Sequence, residues 1–210
     1  MTGAGAADSK PAVTADEAAL RAGMATLGMP VDAEQTSAML RYLGMLQRWN
    51  ATYNLTAIRE PAEMVTHHLL DCLAALVALQ RSPWAPRVRR VLDVGSGGGL
   101  PGLLFALYEP RWSVTCIDAV AKKAAFIRQA AGALGLRNLR SLHGRVESLR
   151  EEPFDLITAR AFAGLDELSK LTRPLLATEG CWMAMKARVP EAEIAALPAD
   201  VEAFHVEPLT

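Results

Sequence analysis

The stretch Asp93-Val94-Gly95-Ser96-Gly97-Gly98-Gly99-Leu100-Pro101-Gly102 decides the fold. It follows a short apolar run, Val88 to Val94, and leads directly into a helical pattern that starts at Pro101. A glycine-rich turn between a strand and a helix lets backbone N–H groups approach a ligand without obstruction by Cβ atoms. The stretch therefore predicts a ligand-binding loop at the end of a buried strand.

Around this loop, short apolar runs alternate with helical stretches. That alternation predicts an α/β fold with a doubly wound, mostly parallel sheet, whose ligands bind at the carboxyl ends of the strands. Strands are predicted over Val88 to Val94, Ser113 to Asp118, Leu139 to Leu142, Phe154 to Ala159, Cys181 to Lys186 and Val201 to Val206. Helices are predicted from Pro101, over Ala121 to Leu134, over Leu165 to Ala177, and from Pro190.

The chain before the sheet has a helical pattern. Thr14-Ala15-Asp16-Glu17 has the form of a capping box, and further helices are predicted over Ala33 to Trp49 and from Pro61 through Leu79. The Gly/Ala/Ser/Pro-rich start predicts a disordered tail. We therefore divide the sequence into a disordered tail (residues 1–13), an N-terminal helical cap (14–80) and a ligand-binding core (81–210).

Composition excludes several classes of protein. The 210 residues are 51% hydrophobic, with 22 Lys+Arg against 23 Asp+Glu. That balance is not the profile of a disordered chain, and the length suits one substantial core. A net charge of −1 argues against a general polyanion binder, so a nucleic acid partner would be met by a local patch.

Three well-separated cysteines predict buried thiols in a reducing compartment rather than disulfides or a metal site. The first residues do not have the pattern of a signal peptide, and no apolar run is long enough to span a membrane. We therefore expect a cytoplasmic protein without metal or membrane association. The sequence leaves the oligomeric state open, with a monomer as the default expectation.

The glycine loop is compatible with two kinds of ligand. Gly97 to Gly102 matches the G-x-G-x-x-G pattern of dinucleotide-binding proteins, while a P-loop is excluded because no G-K-[ST] follows. However, Asp93-x-Gly95-x-Gly97-x-Gly99 resembles the first motif of class I S-adenosylmethionine-dependent methyltransferases. Asp118 ends the second predicted strand, where a carboxylate can accept ribose hydroxyls from either ligand. Asp93, which stands two residues before Gly95, favours S-adenosylmethionine over a dinucleotide.

The sequence of the loop after the fourth predicted strand limits which atoms could accept a methyl group. It reads Thr158-Ala159-Arg160-Ala161-Phe162-Ala163, without the [DN]-P-P-[FYW] pattern typical of amino-group methylation of bases. No Pro-Cys nucleophile for carbon methylation follows either. An acceptor that needs neither deprotonation nor covalent activation fits this chain, and N7 of guanine is such an atom.

Four motifs together resemble the RsmG (GidB) family of bacterial methyltransferases, which modify N7 of one guanine in 16S ribosomal RNA. They are Trp49-Asn50-x-x-Tyr53-Asn54-Leu55-Thr56, His68-x-Leu70-Asp71, the Asp93 to Gly102 loop, and Thr158-Ala159-Arg160-Ala161. The similarity runs from about Met39 to about Leu197. It implies an S-adenosylmethionine cofactor and 16S rRNA or the small ribosomal subunit as the partner.

The resemblance also implies roles for particular residues. Residues implied to bind the cofactor are Gly95, Gly97, Leu100, Asp118, Ala119, Val120, Val146, Glu147 and Arg160. Arg160 is the expected catalytic residue, acting by orientation and electrostatics without a general base. His68 and Asp71 lie on a helix that borders the loop, where a helix-to-core hydrogen bond is as good an interpretation as substrate contact.

Sheet polarity predicts an RNA-binding patch, because several cations follow carboxyl strand ends: Lys122, Lys123, Arg145, Lys186 and Arg188, with Arg160. Arg87, Arg89 and Arg90 are expected at the opposite edge, as solubilising charges.

Two departures from the family pattern affect the carboxyl part of the chain. Lys186-Ala187 stands where the family usually has Lys-Gly, and the sequence ends at Thr210, before the family's final strand. We therefore expect that last strand to be absent from the sheet. Two alternatives stay open: a small-molecule methyltransferase, and a noncatalytic protein that binds S-adenosylmethionine or RNA.

Overall fold

The computed structural model describes residues 14–162, 164–202 and 205–207, so the predicted tail over residues 1–13 lies outside it. The first two helices begin where the sequence predicts. Helix α1 (Ala15–Thr26) is capped by Thr14, whose Oγ1 accepts the N–H of Glu17 at 3.2 Å. Helix α2 (Ala33–Tyr53) is capped by Asp32, whose Oδ1 accepts the N–H of Gln35 at 2.8 Å. Both caps supply acceptors for N–H groups that lack partners within the helix.

The helix predicted from Pro61 through Leu79 is interrupted in its middle. It consists of α3 (Pro61–Met64), a π-helical segment (Val65–Leu70) and α4 (Asp71–Arg81). The widened turn is visible at Asp71, whose N–H donates to the Thr66 carbonyl five residues earlier. Such π segments are rare and often lie at functional sites.

The sheet confirms the predicted α/β class. Its five parallel strands are β1 (Arg90–Val94), β2 (Ser113–Asp118), β3 (Leu139–His143), β4 (Phe154–Arg160) and β5 (Leu176–Met185). They are ordered β3-β2-β1-β4-β5. The remaining helices are α5 (Gly102–Tyr108), α6 (Ala121–Leu134), α7 (Leu165–Thr172) and α8 (Glu191–Ala195). The strand order reverses between β1 and β4, where ligands of such sheets bind.

Two predictions for the carboxyl part of the chain are wrong. The helix predicted over Leu165 to Ala177 ends at Thr172, because Pro174 cannot donate to a helical hydrogen bond. Within the described residues, the run predicted as a strand from Val201 to Val206 forms none and pairs with no neighbour, while Ala203 and Phe204 lie outside the description.

The N-terminal helices and one face of the sheet share a hydrophobic core. One cluster joins Leu20, Leu46 and Leu73 to Leu103 and Phe126. A second cluster fills the other face, around Ile157 and Leu168. The boundary between the helical cap (14–80) and the core (81–210) stays a prediction, since the N-terminal helices pack directly on the sheet. None of the described helices is long and apolar enough to cross a membrane.

Candidate functional site

The glycine loop has the backbone that its sequence predicts. Gly97 has a φ of +56° and Gly95 a φ of +65°, a region that L side chains rarely adopt. A Cβ added at Gly97 would meet nothing closer than the Gly95 carbonyl oxygen, at 3.9 Å. The space above Gly97 is therefore open to a ligand, and its backbone would be the contacting surface.

The loop is held from below by Asp93, which is fully buried. Its Oδ2 accepts the N–H of Gly102 at 3.0 Å, which ties β1 to the start of α5. Its Oδ1 has no partner among the described residues. Burial raises the pKa of Asp93 to about 7, and the Gly102 hydrogen bond opposes that shift. Asp93 thus positions the loop rather than facing solvent.

Asp118 stands at the end of β2, directly beside the loop. Its Oδ2 accepts the N–H of Gly97 at 2.9 Å, and its Oδ1 accepts the N–H of Val120 at 2.8 Å. Each carboxylate oxygen has a second lone pair, so further acceptance from hydroxyl groups is possible. Ala119 and Val120 are exposed next to it, which gives this strand end an accessible rim.

A short 3-10 helix over Val146–Ser148 follows β3 and forms the next part of the rim. Val146 is buried, whereas Glu147 is exposed. The Arg145 Nη1 lies 3.9 Å from Glu147 Oε1, a loose ion pair at the surface. Glu147 is therefore accessible beside the end of β2, because β3 pairs with β2 in parallel register.

Arg160 ends β4 on the other side of β1, and its guanidinium turns toward the N-terminal helices. Its Nη1 donates to the His67 carbonyl at 2.8 Å and lies 3.8 Å from Cys72 Sγ. Among the described residues it thus joins the end of β4 to the π-helical segment. Sequence reasoning placed Arg160 at the site but did not foresee this connection, because a π turn has no sequence signature.

The helix that carries Arg160's partner also buries His68. His68 Nε2 lies 2.9 Å from Thr56 Oγ1, while its Nδ1 has no partner among the described residues. Burial, with the nearby Arg160 charge, lowers the pKa of His68 to about 4, so the ring is neutral at pH 7. Asp71 pairs loosely with His67 at 3.6 Å. These contacts favour the structural interpretation of His68.

Two aromatic residues at the loop were missed by the sequence analysis. Tyr42, fully buried on α2, donates its hydroxyl to the Gly98 carbonyl at 2.7 Å. Phe162 lies so close to Gly95 that a Cβ there would be 3.0 Å from the ring. The sequence offered a way to identify Phe162, because it lies two residues after Arg160 at the end of β4. It offered none for Tyr42, since its partner lies far away in sequence.

The predicted cations share the carboxyl edge of the sheet but do not form one cluster. Lys122 Nζ lies 5.6 Å from the Tyr53 ring centroid, and Lys186 Nζ binds Glu193 Oε2 at 2.8 Å. Arg145 follows β3 and Arg188 follows β5, at opposite ends of the strand order. At about 4.8 Å per strand, this separates them by roughly 19 Å. Leu100 also differs from expectation, because its side chain is buried in the core.

The sheet order, the glycine loop after β1 and the acid ending β2 define a class I methyltransferase. Similar solved structures include TrmN from Thermus thermophilus, with a TM-score of 0.51 and 27% identity, covering 62% of this chain and 41% of that one. An SAH-bound Podospora anserina methyltransferase has a TM-score of 0.50 and 16% identity, covering 73% of this chain and 62% of that one.

The sequence comparisons show the particular family. The family model for rRNA small subunit methyltransferase G (GidB) matches residues 35–210. A Leptothrix cholodnii protein named "Ribosomal RNA small subunit methyltransferase G" is 55% identical, over 93% of this chain and 89% of its own. An Acidovorax protein of the same name is 53% identical, over 94% and 90%. The chain belongs to the rRNA small subunit methyltransferase G family.

Proposed function

We propose that this protein transfers the methyl group of S-adenosylmethionine to N7 of a guanine in 16S rRNA of the small ribosomal subunit. One observation carries the proposal: the glycine loop, Asp118 and Arg160 occupy neighbouring strand ends of the sheet. The chain in which they do so is 55% and 53% identical to proteins named ribosomal RNA small subunit methyltransferase G. The proposal includes action in the cytoplasm, where ribosomal RNA is found, by a monomer.

The described residues fit S-adenosylmethionine. The open space above Gly97 would admit the cofactor against the loop backbone, and the free lone pairs of Asp118 would accept ribose hydroxyls. Because the side chain of Leu100 is buried, its backbone would be the part that contacts the cofactor. The full set that we propose to hold the cofactor is Gly95, Gly97, Leu100, Asp118, Ala119, Val120, Val146, Glu147 and Arg160.

The bound cofactor would supply an electrophilic methyl group on its sulfonium. N7 of guanine attacks with an in-plane lone pair and loses no proton, so the protein needs no general base. Its contribution is orientation, which is worth roughly 7–11 kcal/mol in well-aligned reactions. Phe162, lying on Gly95, would exclude water from this part of the loop.

Arg160 is the side chain from which we expect the largest effect. Guanidinium carries five N–H donors, and in the described part of the chain Arg160 makes its hydrogen bonds through Nη1. The remaining donors could bind the cofactor while Nη1 keeps the His67 carbonyl. For the RNA, we propose phosphate contacts from Lys122, Lys123, Arg145, Lys186 and Arg188, with Lys186 restrained by Glu193.

Labelled S-adenosylmethionine and small ribosomal subunits that lack the modification test this proposal. We expect label in 16S rRNA, at a guanine that becomes sensitive to borohydride and aniline cleavage, the behaviour of N7-methylguanine. Label in small metabolites and not in RNA would instead identify a small-molecule methyltransferase. Cofactor affinity without transfer to either class would identify a noncatalytic binding protein.

Arg160→Ala should lower the transfer rate on the order of 100-fold, because it removes a charged contact at the reacting end of the site. Arg160→Lys keeps the charge but not the planar fork, so we expect it to recover only part of the rate. Single-turnover transfer measures the rate, and thermal unfolding verifies that each variant is folded. A wild-type rate in Arg160→Ala would remove this residue from the reaction.

A further inference from the structure

One face of α2 carries a basic stripe, defined by Ser37, Arg41, Gly44 and Arg48. Their spacing of four, three and four residues places all four on one side of the helix. They line an open cleft of about 620 Å³, together with side chains from α1 and α2. Nothing in the site described above uses this cleft.

The charge of the stripe is not neutralised by acids. Glu17, the acidic residue of the cleft, pairs with Arg21 at 2.8 Å. Arg41 Nη2 donates to the Ala133 backbone carbonyl, which leaves its positive charge uncompensated. Across residues 14–162, 164–202 and 205–207, neither Arg41 nor Arg48 has an acidic partner. The cleft therefore presents two guanidinium groups to solvent.

Gly44 brings the two arginines into the same space. A Cβ added at Gly44 would meet only Arg48 Nη1, at 3.6 Å. The guanidinium of Arg48 therefore lies over the glycine, one helical turn toward Arg41. Two planar forks at one opening can bind adjacent phosphate oxygens, and the hydroxyl of Ser37 can add a hydrogen bond.

Arg41 of the stripe contacts the carboxyl end of α6, and the amino end of α6 stands at the ligand edge of the sheet. Helix α2 runs antiparallel to α6: Arg41 contacts Ala133, the Trp49 and Phe126 ring centroids lie 5.5 Å apart in a tilted arrangement, and Tyr53 lies under Lys122. Because α6 follows β2, Lys122 and the exposed Tyr53 stand at the carboxyl edge. The line from Lys122 to Arg41 extends about 16 Å along α6.

We propose that this stripe binds the phosphate backbone of the RNA strand that continues away from the methylated base. The proposal rests on the proposed function, since it takes RNA as the substrate. Uncompensated arginines bind phosphates, and an exposed aromatic ring at the site end offers stacking to an unpaired base. The stripe supplies binding energy and register at a distance from the reacting atoms.

Two substitutions at Gly44 test the surface without removing an arginine. Gly44→Glu places a carboxylate between the guanidinium groups, whereas Gly44→Ala adds only a methyl group at an ordinary contact distance. Both replace a mid-helix glycine, so both should fold with unchanged or higher Tm. We expect Gly44→Glu to bind small-subunit RNA about tenfold more weakly at 0.1 M salt, and Gly44→Ala to bind like the wild type.

The double variant Arg41→Ala/Arg48→Ala supplies an independent measurement. It should lower the slope of log K against log salt by about 1.4, the loss of two single-strand phosphate contacts. Its matched control is Arg111→Ala/Arg137→Ala, which removes two exposed arginines that precede β2 and β3 at the opposite edge. The control should retain the wild-type slope, and all variants should keep wild-type affinity for S-adenosylmethionine.

The outcomes separate this proposal from the proposed function. Wild-type RNA affinity and salt slope in both Gly44→Glu and the double variant would overturn the stripe, even if the protein methylates RNA normally. Absence of RNA methylation by the wild-type protein would instead overturn the proposed function. Equal weakening by the double variant and its arginine control would also reject the stripe, because the effect would then be one of net charge.

Discussion

The two edges of the sheet carry similar numbers of cations but treat them differently. At the amino edge, arginines pair with acids: Arg87 with Glu179 at 3.0 Å, Arg111 with Glu109 at 3.3 Å, and Arg140 with Glu151 at 2.8 Å. At the carboxyl edge, Lys186 and Arg145 also lie beside acids, Glu193 and Glu147. Lys122 and Arg160 differ, because Lys122 faces an aromatic ring and Arg160 a backbone carbonyl. Their charges therefore remain available to an anionic ligand.

This difference explains how a chain with a net charge of −1 can serve a polyanionic substrate. Among the described residues, acids pair with Arg87, Arg111 and Arg140 at the amino edge, whereas Lys122 and Arg160 near the glycine loop have no acidic partner. Exposed ion pairs contribute little to stability, with typical values of 0.2–1 kcal/mol. We infer that the amino-edge pairs chiefly set the distribution of charge.

The largest effect, on cofactor affinity, should come from filling the space above Gly97 at the carboxyl edge of the sheet. Gly97→Val forces a β-branched residue into a φ of +56° and occupies the open space above the loop. We expect a loss of S-adenosylmethionine affinity on the order of 100-fold, or about 2.7 kcal/mol. The backbone strain should cost about 1–2 kcal/mol of stability, so the protein should remain folded. Calorimetric titration and thermal unfolding measure the two effects.

Gly132→Val is the matched control for this substitution. It makes the same chemical change on α6, where an added Cβ meets nothing within 4 Å and the φ is not positive. The control should bind the cofactor like the wild type. Retained affinity in Gly97→Val would refute the placement of the cofactor against the loop.

An intermediate effect should come from replacing Asp93, which is buried beneath the carboxyl edge of the sheet. The pKa of Asp93 is raised to about 7, so its proton stabilises the fold most fully below pH 4, and this stabilisation is lost as pH rises through 7. Asp93→Asn does not titrate. Its stability relative to the wild type should therefore rise by about 2.6 kcal/mol between pH 5 and pH 8.

Denaturant unfolding of both proteins at the two pH values measures this difference. His68, whose pKa is lowered to about 4, makes stability fall on acidification, but it does so in both proteins and cancels in the comparison. A relative stability that is constant with pH would mean that Asp93 is ionised throughout the range in the folded protein.

The smallest effect should come from breaking an amino-edge pair. In Arg87→Ala the lost partner is Glu179, and both side chains are mostly exposed, at 63% and 76%. We expect a stability change below about 0.5 kcal/mol and unchanged RNA methylation. Thermal unfolding and the subunit assay measure both. A marked loss of methylation would contradict the division of roles between the two edges.

Local patterns were enough to predict most of the fold. The caps at Thr14 and Asp32 act through neighbouring residues. Apolar runs identify β1, β2 and β4 because these strands are buried on both faces, and they identify the edge strand β3 through its buried Leu139 and Ser141. The strand predicted from Val201 to Val206 fails for a related reason. A strand is stable only beside a partner, and an apolar run does not show whether a partner is present.

The site was predictable where one segment determines it and not where distant segments meet. The glycine loop and Asp118 could be identified because each follows a predicted strand. The contact of Arg160 with His67 joins two segments far apart in the chain. His67 lies in a π-helical segment, and no sequence pattern predicts such a segment. The pairing of Lys186 with Glu193 likewise depends on how α8 returns to the sheet.

The hydrogen bond from Tyr42 to Gly98 spans 56 residues and has a consequence for biosynthesis. Translation proceeds from the amino end, so α2 is made before the glycine loop. The donor that fixes the Gly98 carbonyl, and the helix that covers Phe126, are therefore already present when the loop and α6 emerge. The loop can be captured in its final shape as the nascent sheet assembles, without waiting for the end of the chain.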